Sequence, residues 1–228
     1  MNNLPLDISE FEKRAGYVFK NKKLIETALT HSSYSNELRI KHTRVCECNE
    51  RLEFLGDSVL SLVVSEYLYA KYADEHTEGD LTRMRADVGC EKALAKYAVK
   101  LGLGQFLLLG NGEEKNRGRE RRSIIADALE ATIAAMYIDA GEAGKATVGR
   151  FILPFVKEEL KGIVDSDIAR DYKTNLQQFV QQSDGEHLEY ETVGESGPDH
   201  KKTFEVVAKL NSNTIGRGTG ATKREAEQ

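Results

Sequence analysis

The apolar residues of this chain change their period once, near Val164, and that change limits the fold to two unlike parts. Upstream they recur three and four positions apart. Phe11, Leu24, Ile25, Ala28 and Leu29 share such a spacing near the start. Leu52, Phe54, Leu55, Val59, Leu60, Leu62, Val63, Tyr67 and Leu68 carry it through a predicted helix over 49–72. Further helices are expected over 81–101, 123–140 and 151–163, the last starting near Pro154. Strand-like alternation is almost missing here, so this part is expected to be all-α. Downstream, Asp165, Ser166 and Asp167 form a polar joint before a helix over 172–182. Strand-like segments follow over 188–193, 203–210 and 213–218, with Gly197-Pro198 as a turn and a helix beginning at Thr222. The expected order is α-β-β-β-α, a small α+β module. The boundaries implied are a helical domain over 1–163, a linker over 164–170 and the module over 171–228.

Two pairs of acids stand out in the helical part. Glu53 and Asp57 lie four apart, and Asp127 and Glu130 three apart, so each pair shares one helix face. Like charges at those spacings repel, and large apolar neighbours make a lone carboxylate costly to bury. Asp127 and Glu130 are the only charges between Arg122 and Asp139. A hard divalent cation, which prefers oxygen ligands, is the simplest remedy. Such a cation can polarise a phosphate and make hydroxide from water, with no His, Cys or Ser nucleophile. The bland alternative has the same acids on solvated edges, or paired with Arg51, Arg83 or Arg85. Spacing alone leaves both open.

Charge and composition restrict little. The formal net charge of −5 argues mildly against a nucleic-acid partner, but local clustering of Lys and Arg decides that question. Three cysteines and a start that mixes acids and bases predict a reducing, cytoplasmic setting. No apolar run approaches the ~20 residues that span a bilayer.

The run Asn49-Glu50-Arg51-Leu52-Glu53-Phe54-Leu55-Gly56-Asp57-Ser58-Val59-Leu60 resembles the ribonuclease III signature without a break. Ala126-Asp127-Ala128-Leu129-Glu130-Ala131 is similar to that family's second acidic motif. Glu78-Gly79-Asp80-Leu81-Thr82 and Thr30-His31-Ser32-Ser33-Tyr34 also look familial. The resemblance implies an all-α endonuclease domain that cuts double-stranded RNA. Glu53, Asp57, Asp127 and Glu130 would be its catalytic acids and its ligands for Mg2+, with Mn2+ able to substitute. Asn49, Glu50 and Glu78 would support the cleft, although Asn49 also suits an N-cap and the two acids a solvated face. A homodimer is implied, with staggered cuts leaving 5′-phosphate and 3′-hydroxyl ends and short 3′ overhangs, in maturation of ribosomal precursors and messengers. Gly56 costs the signature helix up to ~1 kcal/mol against Ala, which close helix packing would explain better than a role at a subunit contact or metal.

The tail resembles a double-stranded-RNA-binding domain in Asp171-Tyr172-Lys173-Thr174-Asn175-Leu176-Gln177-Gln178, in Gly197-Pro198-Asp199-His200-Lys201-Lys202-Thr203-Phe204, and in the run from Gly216 to Gln228. Such modules read duplex shape over about 16 base pairs. By that resemblance Thr174, Gln177, Gln178 and Gln181 would meet one minor groove, and Pro198 and His200 the next. Lys223 and Arg224, at a helix start, would grip the phosphates between. The last helix would stop short of the family's usual length at Gln228. Each element alone reads as ordinary surface; their co-occurrence carries the binding reading.

Two stretches depart from the pattern. Leu38–Cys48 is longer than expected. Its His42, Cys46 and Cys48, with Cys90, match no common zinc spacing, so a basic or solvated insertion is the simpler reading. Gly110–Gly118, with Lys115, Arg117 and Arg119, lacks the Gly-Lys-Ser/Thr ending of a P-loop, leaving an RNA clamp or a plain connector. Two other functions stay in play. One is a non-cleaving duplex-RNA binder; the other is a helical metallophosphohydrolase acting on nucleotides.

Overall fold

The computed structural model describes residues 7–41, 47–167, 172–181, 185–198 and 202–228, with the backbone alone at 163–167, 172, 174, 175, 178, 181 and 224. The chain forms two compact units, Met1–Leu160 and Lys161–Gln228.

Among the described residues the first unit is built of helices, apart from an isolated bridge between Thr30 and Leu108, and its last helix runs on past Leu160. Its helices are α1 (Ile8–Ala15), α2 (Lys22–Ala28), α3 (Ser32–Ile40), α4 (Glu50–Tyr72), α5 (Glu78–Gly89), α6 (Glu91–Leu101), α7 (Asn111–Lys115), α8 (Arg122–Ala140) and α9 (Gly144–Asp167). Local chemistry sets several ends. Asp7, Asn21 and His31 cap α1, α2 and α3 by accepting backbone N–H groups. Thr77 and Asp80 form a reciprocal capping box on α5. Gly16 and Gly102 close α1 and α6 at φ 64° and 66°.

Packing is organised around α8. Ile124, Ile125, Ala126, Ala128, Leu129, Ala131, Ile133, Ala134, Ala135 and Met136 are all buried, so this helix is apolar on nearly every side and runs through the core. Helices α2, α4 and α6 pack against it. Truncating fully buried Leu129 to Ala would cost about 2–5 kcal/mol. At the far end of α8, Asp139 accepts hydrogen bonds from the Tyr17 hydroxyl (2.7 Å) and from the Lys20 and Asn21 amides (2.9 and 2.8 Å). Those donors hold the Asp139 carboxyl below its ordinary range despite partial burial.

Three stretches differ from expectation. The stretch 81–101 is two helices, because Cys90 leaves helical geometry at φ −70°, ψ 156° and starts α6. Gly89, a stop signal, precedes it. Helix α9 begins at Gly144, and Pro154 lies inside it. Pro154 forfeits one donor, but buried Val148, Phe151, Ile152, Val156 and Leu160 run past it on both sides. The same helix continues through Asp165–Asp167. The stretch 111–120 is short helical turns, α7 and a 3-10 turn over Gly118–Glu120.

The second unit has α10 (Tyr172–Gln181), β1 (Leu188–Ser196), β2 (Thr203–Leu210), β3 (Asn213–Gly220) and α11 (Lys223–Glu227). The strands pair antiparallel in the order β1-β2-β3. Asn211 and Ser212, at φ 48° and 73°, make the tight turn between β2 and β3. Val206 faces the helices, near Leu176, Tyr190 and Ala226. Val207 points the other way, beside cross-strand partners Glu191 and Arg217, and is buried beneath the Lys209–Glu191 and Arg217–Glu205 pairs. Lys173 ties α10 to α11 through Glu227 at 2.6 Å. Gly218 and Gly220 let α11 lie on β3, since a Cβ at either would overlap the backbone at Glu225 and Ala226. Among the described residues no helix is long and apolar enough to cross a membrane.

Candidate active site

The four predicted acids meet along the seam of α4 and α8. Gly56 makes the approach possible: a Cβ there would run into the Glu130 carbonyl. Its role is therefore close packing, and the packing lies inside the acidic site itself. The seam sets Glu53 beside Asp127, and Asp57 beside Glu130. Asp57 is exposed and the other three are partly buried.

The electrostatics follow from that geometry. Burial first, then repulsion from Asp57, Glu53 and Asp127, pushes the Glu130 carboxyl up to about 8. Burial and the charges of Asp127 and Glu50 raise Glu53. Burial raises Asp127 as well, with Glu91 adding to the shift and His31 opposing it. Among the described residues none of the candidate arginines forms an ion pair with the four acids, although Arg85 lines a small pocket together with Asp57. Arg51 pairs with Glu47 (2.8 Å), Arg83 with Asp80 (2.5 Å), and Arg85 donates to the Ser65 hydroxyl (3.1 Å). The reading of the acids as structural ion pairs with those arginines thus finds no direct pair among the described residues. Among the described residues no three His, Cys, Asp or Glu side chains close into a ready-made metal cage. The acids form an open, oxygen-only set with uncompensated negative charge, which suits a cation that keeps part of its water shell.

The supporting positions divide. Asn49 occupies the N-cap position of α4 without a side-chain capping bond; it is buried, and its Nδ2 has no partner. Glu50 and Glu78 are exposed in the first turns of α4 and α5. In the 110–118 stretch, Arg119 binds Glu114 and the Gly104 and Gln105 carbonyls, so it holds the stretch together. Lys115 and Arg117 are exposed, Arg117 at a left-handed φ of 55°. Cys48 and Cys90 are free thiols; His42 and Cys46 lie outside the described residues. His31 and Glu91 were not anticipated at the seam. The Thr30–Tyr34 run was the available signal for the first. Glu91 reaches Asp127 only through tertiary packing.

In the second unit, Thr174, Gln177, Gln178 and Gln181 occupy one side of α10, and Gln177 is partly buried. The side chains of Thr174, Gln178, Gln181 and Arg224 are outside the described set, as is all of His200. Pro198 is exposed. Lys223 is exposed at the start of α11, 5.8 Å over the Phe204 ring and 4.0 Å from Glu195.

A helical unit with an acidic seam, followed by an α-β-β-β-α unit, defines the class: a nuclease domain joined to a duplex-RNA-binding module. Residues 21–156 match the Ribonuclease-III-like family, and 172–228 match the double-stranded RNA binding motif. The chain is 48% identical over 221 residues to Ribonuclease 3 of Caldanaerobacter subterraneus, covering 97% of this chain and 93% of that protein. Ribonuclease 3 of Natranaerobius thermophilus is 44% identical, with 97% and 92% covered. A solved nuclease domain of ribonuclease III from Campylobacter jejuni, described with flexibility in a region involved in dimer formation, superimposes with a TM-score of 0.59 at 42% identity. It covers 67% of this chain and 98% of that one. The chain belongs to the ribonuclease III family, and it is an endoribonuclease of double-stranded RNA.

Proposed function

We propose that Glu53, Asp57, Asp127 and Glu130 bind Mg2+, with Mn2+ able to substitute, and that the seam cuts both strands of duplex RNA. The observation that carries this reading is the set of facing acids with no ion pair to a Lys or Arg among the described residues, and Glu130 pushed up to about 8. A bound cation would supply Lewis-acid polarisation of the phosphate and lower the pKa of an attacking water. The chain's own part is to hold the four carboxylates on two helices packed against each other. Glu50, Glu78 and Asn49 border the cleft in support. The products are 5′-phosphate and 3′-hydroxyl ends with short 3′ overhangs, formed during maturation of ribosomal and messenger RNA in the cytoplasm.

Two further parts complete the reading. The active form is a homodimer. Support comes from α4, where Phe54 (79%), Leu62 (55%) and Tyr69 (72%) are exposed on an otherwise core-forming helix. Phe54 and Leu62 belong to the apolar spacing of the predicted helix, and both face outward. The module over 171–228, joined to a catalytic domain over 1–163 by the stretch 164–170, whose start continues α9, holds the duplex. Thr174, Gln177, Gln178 and Gln181 contact one minor groove, Pro198 and His200 the next, and Lys223 and Arg224 the phosphates between.

A labelled RNA duplex incubated with Mg2+, and again with EDTA, beside a single-stranded control tests the reading. Cleavage of the duplex alone, and only with Mg2+, is expected. Equal cleavage in EDTA would remove the cation from the mechanism. Binding without cutting in Mg2+ and Mn2+ would make the chain a duplex-RNA binder.

A further inference from the structure

A cleft beside the acidic seam has no task in the reading above. Helices α4 and α5 pack against each other, and a space of about 170 Å³ opens between them. Asp57, Ser61 and Arg85 supply its polar walls, and buried Leu60 and Val64 its apolar floor. On the α5 side, a Cβ added at Gly89 would meet no atom within 4 Å, so that wall is open. Pockets that enclose a whole small molecule run to roughly 300–1,000 Å³. This cleft suits a single polar group and its waters.

The charges on its walls select that group. Arg85 is exposed, and its Nη1 donates to the Ser65 hydroxyl at 3.1 Å. A guanidinium carries five N–H donors in a planar fork that matches phosphate. The bond to Ser65 uses one donor and steadies the fork on α4. Arg85 and Asp57 bear opposite charges on one cleft, yet among the described residues no ion pair joins them. A cation at Asp57 leaves the Arg85 side facing an anion. A duplex backbone lying over the seam brings phosphate oxygens to that side.

Spacing along α4 decides which phosphate. Ser65 lies two turns beyond Asp57, about 12 Å at 1.5 Å per residue. A fork anchored there does not share a phosphate with a cation at Asp57; it meets a neighbouring one. We propose that Arg85, steadied by Ser65 in the α4–α5 cleft, grips the phosphate next to the one being cut. The inference rests on the reading of the acidic seam as the cutting centre. Arg85 is then a substrate contact that sets how the strand lies, and it acts on binding rather than on the chemical step.

Arg85→Gln keeps most of the reach and removes the charge. Duplex affinity is measured in Mg2+ against KCl concentration in the Glu130→Gln background, where no cutting is expected, with and without Arg85→Gln. Duplexes bearing one uncharged methylphosphonate, at the cut position or beside it, locate the contact. Arg85→Gln should weaken binding about 3–10-fold and reduce the salt slope by about one. In an otherwise wild-type chain it should raise KM by the same factor and keep kcat. A methylphosphonate beside the cut should weaken binding by the Arg85 chain and add no further loss to Arg85→Gln. Unchanged affinity and slope overturn the proposal, as do losses that add at every neighbouring position. A fall in kcat with KM unchanged also overturns it, by moving Arg85 to the reacting phosphate. If Arg85→Gln melts early, Ser65→Ala decides: it keeps the charge, frees the fork and should lose affinity at the same neighbouring phosphate. Cutting by Glu130→Gln at the wild-type rate would fail the seam reading itself, which is distinguishable from failure of Arg85 alone.

Discussion

The two units handle charge in opposite ways. Along α4 and α8, like charges are pressed together, three of them partly buried, with no arginine ion-paired to them among the described residues. On the sheet of the second unit, opposite charges sit side by side at the surface, as Lys209–Glu191 and Arg217–Glu205, over a buried Val207. Exposed pairs of the second kind contribute about 0–1 kcal/mol and are weakened by salt. They leave the sheet electrically quiet and its shape intact. The seam is the reverse: its repulsion is unfavourable in the protein alone and is relieved only by something brought from outside. One unit is shaped to fit a duplex, and the other stores an unmet demand for positive charge.

Neutralising the deepest acid tests that contrast most severely. Glu130→Gln should reduce cleavage by roughly 10³-fold or more, since several kcal/mol of cation-derived stabilisation is lost at ~1.4 kcal/mol per tenfold. Duplex binding should be unchanged in a gel-shift assay. The same change should stabilise the metal-free protein at high pH. Glu130 has a raised folded-state pKa, so its contribution to stability is present below the ordinary value of 4.5 and lost as pH rises through about 8. The wild-type melting temperature without metal should therefore fall across that window. The Gln variant should show a flatter profile, and Mg2+ should restore the wild type most at the alkaline end. A wild-type profile that is flat without metal would mean the seam is not strained by charge.

Gly56→Ala probes the packing that creates the contrast. The added methyl meets backbone that cannot rotate away, so a loss of about 1–3 kcal/mol is expected, with a lower melting temperature and reduced cleavage. An unchanged melting temperature would show that the helices are farther apart than described. The smallest effect belongs to the quiet unit. Lys223→Ala should weaken duplex binding a few-fold and reduce the salt slope by about one, with turnover at saturating RNA unaffected. A loss of turnover at saturation would place Lys223 in the cutting step.

Much of this was legible in residue spacing. Intervals of three and four placed Glu53 with Asp57 and Asp127 with Glu130, and the acid-only stretch of α8 signalled an unpaired site. The alternation from Leu188 onward marked the sheet. What the sequence did not carry is tertiary. Nothing near Arg51, Arg83 or Arg85 says which acid each will choose. Phe54 and Leu62 fit an apolar pattern whether they face a core or a partner. Pro154 suggested a helix start, but a buried stripe on both sides outweighed one missing donor. His31 was read only as part of a motif, because its neighbour Asp127 lies far along the chain.

The clasp at Asp139 has a consequence for the order in which the protein can be made. Tyr17, Lys20 and Asn21 find their acceptor only after well over a hundred further residues have been synthesised. On a ribosome adding about 5–20 residues per second, the start of the chain waits several seconds for α8 to emerge. Asp127 and Glu130 arrive on that same helix. The clasp at Asp139 therefore closes only once both halves of the acidic seam exist, while Arg14, Phe11 and His31 can already dock on residues 101–108.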